Sequence, residues 1–248
     1  MKTSALATLA ATALLALTVP ACAGPAATPA NEVSPAADQT ATATPTVTPT
    51  PARKAYSNAD LAGIVRQVRD TADRRLTVLP ETDLATTLEQ SKEMVAAIEV
   101  APAACKDFAT ASTVPALDGA AMAMGISTDA ATGDVTALSL LSGLDEAALG
   151  NVANPAAQLQ QCSDMTVTVS GIAVPVTITM LDSVGGLAET TAYRTETQLP
   201  DGQVQSTTTA QAIQQGVVLT AVATGGATGT DAATRAGALL DSAAALIK

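Results

Sequence analysis

Residues 188–224, AETTAYRTETQLPDGQVQSTTTAQAIQQGVVLTAVAT, decide the fold. Three runs rich in Thr, Val and Ala, 188–199, 203–211 and 217–224, read as strands. The turn Pro200-Asp201-Gly202 parts the first two, so the segment is an antiparallel meander. Upstream, 165–170 and 174–181 flank Gly171 and read as a hairpin. A further hairpin is expected from 119–127 and 134–142 across the polar turn DAATGD.

Outside these runs the period becomes helical. Ser57 and Asp60 have capping-box spacing, and Leu61, Ile64, Val65, Val68 and Ala72 share one face. Arg75–Leu79 is a short strand or extended link, and Thr82 opens a second helix with Leu84, Leu88, Val95 and Ile98 at helical spacing. Asn154 and Pro155 suit the first turn of a short helix ending at Cys162. A last helix begins near Thr230 and presents Ala236, Leu239, Leu240, Ala243 and Ile247. We therefore expect one α+β domain over 56–248, with a central antiparallel sheet of about six strands and helices on one face and at the ends.

The N-terminal segment bears on location. Residues 1–21 have the parts of an export signal: Lys2, an apolar run from Ala5 to Val19, and small residues at the end. That run falls short of the roughly 20 residues that span a bilayer. Val19-Pro20-Ala21-Cys22 resembles a bacterial lipobox, which makes Cys22 the lipidated first residue of the mature chain. Ala21-Cys22-Ala23 also fits ordinary signal peptidase, which would discard Cys22 and leave the protein unanchored. Residues 22–55, rich in Pro, Thr and Ala, have no hydrophobic period and are expected to stay an extended, disordered tether. Cys105 and Cys162 are the thiols left in the body, and an even pair in an exported chain reads as a disulfide.

Composition narrows function. With no His there is no Ser-His-Asp or Cys-His catalysis and no imidazole metal ligand. A net charge of −11, with two Tyr, one Phe and no Trp, argues against nucleic acid as a partner. Acidity gathers late: residues 107–248 carry 13 acidic and 3 basic side chains, which sets the body away from anionic headgroups. Neither G-x-S-x-G nor S-x-x-K occurs. Gly225–Gly229 reads as a loop into the last helix, because no G-K-[ST] follows. Asp129 and Asp134 lack the dense ligand spacing of a calcium loop and read as hairpin residues. Of the paired carboxylates, Asp70/Asp73 are interleaved with arginines and Asp145/Glu146 sit in a turn. No catalytic residue, metal ligand or cofactor is therefore expected. Tyr193 and Arg194 are the unusual residues of the sheet region, and strand alternation points them to opposite faces.

The strings VAAIEVAPAAC (95–105), LQQCSDMTVTVSG (159–171), AETTAYRTE (188–196) and QQGVVLTAVATGG (214–226) resemble actinobacterial exported lipoproteins with a PknH-like extracellular sensor domain. That resemblance implies an antiparallel α+β domain with a cleft for an extracellular ligand. Kinase-attached members carry two disulfides, whereas this body has cysteines for one. The chain contains no kinase domain, so any sensing passes through a partner. The expectation is a non-catalytic lipoprotein, held to the membrane through its lipid anchor, that binds an apolar small ligand. The alternative is a structural or interaction component of the cell envelope with a protein partner. No ligand-binding residue can be assigned from sequence.

Overall fold

The computed structural model describes residues 54–106, 109, 119–153, 156–226 and 228–248. The export signal, Cys22, most of the tether and the Asn154-Pro155 cap lie outside them.

Among the described residues nine strands form one antiparallel sheet: β1 (Thr77–Val78), β2 (Glu99–Ala101), β3 (Ala121–Thr128), β4 (Val135–Ser142), β5 (Asp164–Val169), β6 (Ile172–Leu181), β7 (Thr191–Gln198), β8 (Val204–Gln214) and β9 (Val217–Thr224). Their order across the sheet is β1-β3-β4-β9-β8-β7-β6-β5-β2. The meander β5 to β9 pairs in sequence, and the hairpin β3–β4 joins its end through β4 and β9. The expected sheet of about six strands is thus an undercount. The edges are closed by β1 and β2, two and three residues long, too short to carry a readable period. Short edges also suit the sheet, since a long bare edge invites pairing with other chains.

The helices are α1 (Asn58–Val65), α2 (Glu81–Ala97), α3 (Glu146–Ala153), α4 (Ala156–Gln161) and α5 (Gly229–Ala244). Ser57 caps α1, with the Asp60 amide donating to Ser57 Oγ at 3.2 Å and the Ser57 amide to Asp60 Oδ2 at 3.0 Å. Thr228 and Asp231 make the same reciprocal box at α5. Each box satisfies two of the donors that a helix start leaves unpaired.

Helices cover both faces, which corrects the expectation of one covered face with helices at the ends. Ala192 and Tyr193, adjacent on β7, enter two different cores. On the first face α1 and α5 bury Leu61, Val65, Ala236, Leu239 and Leu240 against Leu138, Leu140, Leu219 and Ala221. On the second, Ile98, Val100, Cys105, Leu159 and Cys162 pack on Met165, Val167, Val176, Ile178 and Tyr193. Cys105, in a 3₁₀ turn (Ala103–Cys105), is disulfide-bonded to Cys162, just past α4. α2 contributes little to either core, with Leu84 as its one buried residue.

Candidate functional site

A cleft of about 520 Å³ lies on the first face, between the outer flank of α5 and the β6–β7 connection. One wall is Gly229, Thr230, Ala233, Thr234, Gly237, Ala238 and Asp241. These recur at helical spacing and run roughly 16 Å along α5 from Thr230 to Asp241 at 1.5 Å per residue. The other wall is Leu181–Gly185, and Arg194 of β7 also lines the space. Leu181, Val184, Ala233 and Ala238 are the aliphatic residues of the lining, and Asp182, Ser183, Arg194, Thr230, Thr234 and Asp241 are its polar ones.

Two glycines let the walls approach. A Cβ on Gly237 would lie 2.6 Å from the Gly185 nitrogen and 2.9 Å from its Cα, so only glycine allows the connection to cross α5 there. Asp241 fixes the crossing, because both its carboxylate oxygens accept from the Gly186 amide at 2.9 Å. At the opposite end, a Cβ on Gly229 would collide with Arg194 Nη1, so the missing side chain is what seats the guanidinium against the first turn of α5.

Tyr193 and Arg194 do point to opposite faces. Tyr193 is buried in the second core; burial raises its phenol pKa, opposed by a hydrogen bond with Thr209. Arg194 is directed to the cleft, where its side chain keeps 30 % exposure. Its Nε lies 3.3 Å from Glu196 Oε1, a charge contact outside hydrogen-bond geometry, and that nitrogen is buried without a hydrogen-bond partner.

The carboxylates singled out from sequence have structural roles. Asp145 Oδ1 accepts the Ala148 amide at 2.7 Å and so caps α3, the helix occupying what reads in sequence as a turn. Asp70 is buried and accepts from Ser127 Oγ, Arg74 Nε and the Ala72 and Arg74 amides. Burial by itself pushes this carboxyl up, but those hydrogen bonds outweigh it and hold the pKa at about 2. Asp73 contacts Arg69 at 3.4 Å on the surface. Asp129 pairs with Arg74 at 2.6 Å, and Asp134 accepts the Gly226 amide at 2.7 Å, tying the β3–β4 turn to the loop before α5. Among the described residues no three acidic or cysteine side chains converge as a metal site.

Sequence reasoning did not find the cleft glycines. A signal was present in Gly237, inside an otherwise Ala/Leu-rich helix, where glycine weakens the helix unless something approaches closely.

Among the described residues no helix is long and apolar enough to cross a membrane. The chain matches no protein-family model and no curated protein. It is similar to the extracellular domain of PknH from Mycobacterium tuberculosis, at 14% identity and a TM-score of 0.48, over 77% of this chain and 98% of that one. It is also similar to an uncharacterized protein (Rv0999 ortholog) from Mycobacterium smegmatis, at 15% identity and a TM-score of 0.40, over 60% of this chain and 76% of that one.

Proposed function

We propose that this chain is a non-catalytic extracellular lipoprotein, anchored in the cell membrane through Cys22, whose folded body is a sensor-like ligand-binding module. The observation that carries the reading is the cleft between α5 and the β6–β7 connection. Its volume of about 520 Å³ is that of a small-molecule site, and its lining sets Leu181 and Val184 beside charged and hydroxyl side chains that can orient a ligand. The lipobox-like Val19–Cys22 and the Pro-rich tether support the placement, since two or three acyl chains anchor durably where one does not. The acidic later half supports a body that stands off the headgroups.

Native mass spectrometry of the protein purified from several expression hosts tests the ligand. A bound mass that is lost on narrowing the cleft with Ala238→Leu is the expected result. A protein that is empty from every host would sink the ligand-binding reading. Membrane fractionation of Cys22→Ser tests the anchor: the variant should leave the membrane fraction, and unchanged fractionation overturns lipidation at Cys22.

A further inference from the structure

We infer that the Arg194 end of the cleft is an oxyanion subsite, which takes the carboxylate or phosphate of a ligand with a single anionic group whose uncharged body lies along α5. This rests on the cleft being the ligand site. Three observations carry it beyond that reading.

The first is that the guanidinium has unused capacity. Arginine has five N–H donors in a planar fork suited to carboxylate and phosphate. Here its one charged contact is Glu196, at 3.3 Å and outside hydrogen-bond geometry, and Glu196 is 45 % exposed. A contact that open to water is weak and easily exchanged. Arg194 Nε is itself buried without a hydrogen-bond partner. A buried donor left unpaired costs free energy that a bound acceptor recovers.

The second is placement. Gly229 brings the guanidinium onto the first turn of α5, the positive end of that helix. The helix has its own cap in Thr228 and Asp231, so the anion's partner is the side chain and not the helix end.

The third is contrast. Residues 107–248 contain three basic side chains, and Arg235 is occupied by the carbonyls of Thr224 and Gly225. Arg194 is the one basic side chain among the residues lining the cleft. Asp182 and Asp241 line the same cleft and disfavour a second anionic group on the ligand, so the subsite selects ligands with a single anionic group.

Three probes test this on the isotopically labelled chain by amide chemical-shift titration: octanoate, its neutral counterpart octanol, and inorganic phosphate. Octanoate should shift the Gly229 and Thr230 amides. Arg194→Gln should weaken octanoate about tenfold or more while leaving octanol binding in place, and Glu196→Gln, which removes the internal competitor, should tighten octanoate. Phosphate shifts that vanish in Arg194→Gln would support recognition of the headgroup alone; octanoate shifts without phosphate shifts would support headgroup and chain together. If octanol binds the cleft but neither variant changes octanoate affinity, the oxyanion subsite is wrong and the cleft reading survives. If no probe moves a cleft amide, both fall.

Discussion

On one face of the sheet, α5 alone buries seven residues from Ala232 to Ala244 against β8 and β9. On the other, the cover is the extended residue Ile98, a 3₁₀ turn of three residues and a helix of six. A sixteen-residue amphipathic helix keeps its place through the area it buries. Pieces of three to six residues cannot, because each pays the cost of ordering for few contacts. The disulfide lies where the cover is weakest, and it joins two of those pieces across 57 residues. One face is thus held by burial and the other by a covalent link over a modest apolar cluster.

The sharpest way to break this contrast is to remove the link. Replacing Cys105 and Cys162 together with Ala should cost about 4 kcal/mol by the loop-closure relation for a loop of this size. Amide exchange should quicken in β2 and β5 and hardly change in β4 and β9; uniform quickening would mean that the two faces do not differ as described. Next in size is Leu240→Ala, a fully buried truncation on the helical face, expected to cost about 3 kcal/mol in denaturant unfolding. That loss should be the same with the disulfide intact or reduced, since the two cores share no side chain.

Asp70 gives a pH signature to the helical face, where it binds the link after α1 to Ser127 of β3. Its folded pKa of about 2 lies below the ordinary 3.8, so its contribution is present above pH 3.8 and is lost as the pH falls toward 2. The side chain is 2 % exposed, and the shift corresponds to about 2 kcal/mol. Asp70→Asn should therefore be less stable than the parent at pH 6, with the gap closing by pH 2; a gap independent of pH would contradict the assignment. The smallest effect belongs to the second face: Tyr193→Phe keeps the buried ring and removes the bond with Thr209, for about 1 kcal/mol.

How much of this was legible follows from where the information lies. The long strands could be read because a run of β-branched and small residues bounded by turn residues is a local property of the chain, as in 217–224, which is buried on both faces. Ser57 with Asp60 could be read because capping chemistry is local too, whereas α5 was placed near Thr230 from its apolar spacing and its Thr228–Asp231 box was missed. Of the edge strands, Thr77–Val78 lies within the stretch read as a short strand or extended link, while Glu99–Ala101 was missed because it becomes a strand only through pairing with β5. Helix α3 was hidden for a similar reason: Asp145 looks the same as a turn residue and as a cap. The division of helices between two faces depends on connection geometry, of which the sequence carries no trace. The cleft was legible in part. Strand alternation separates Tyr193 from Arg194, but the contact of Gly229 with Arg194 joins residues 35 positions apart in the chain.

Tyr56 opens the described fold, and its hydroxyl donates to the carbonyl of Lys248 at 2.7 Å and accepts from the Lys248 amide at 3.0 Å. Its own amide donates to Ser142 Oγ at the end of β4. The two ends of the folded segment therefore meet at one point, and the path through the fold is nearly a closed ring. Polypeptide attached before Tyr56 and polypeptide attached after Lys248 would leave from the same spot. A pull along the preceding chain would bear at once on Ser142 of β4 and, through the Tyr56–Lys248 clasp, on the residues that follow α5.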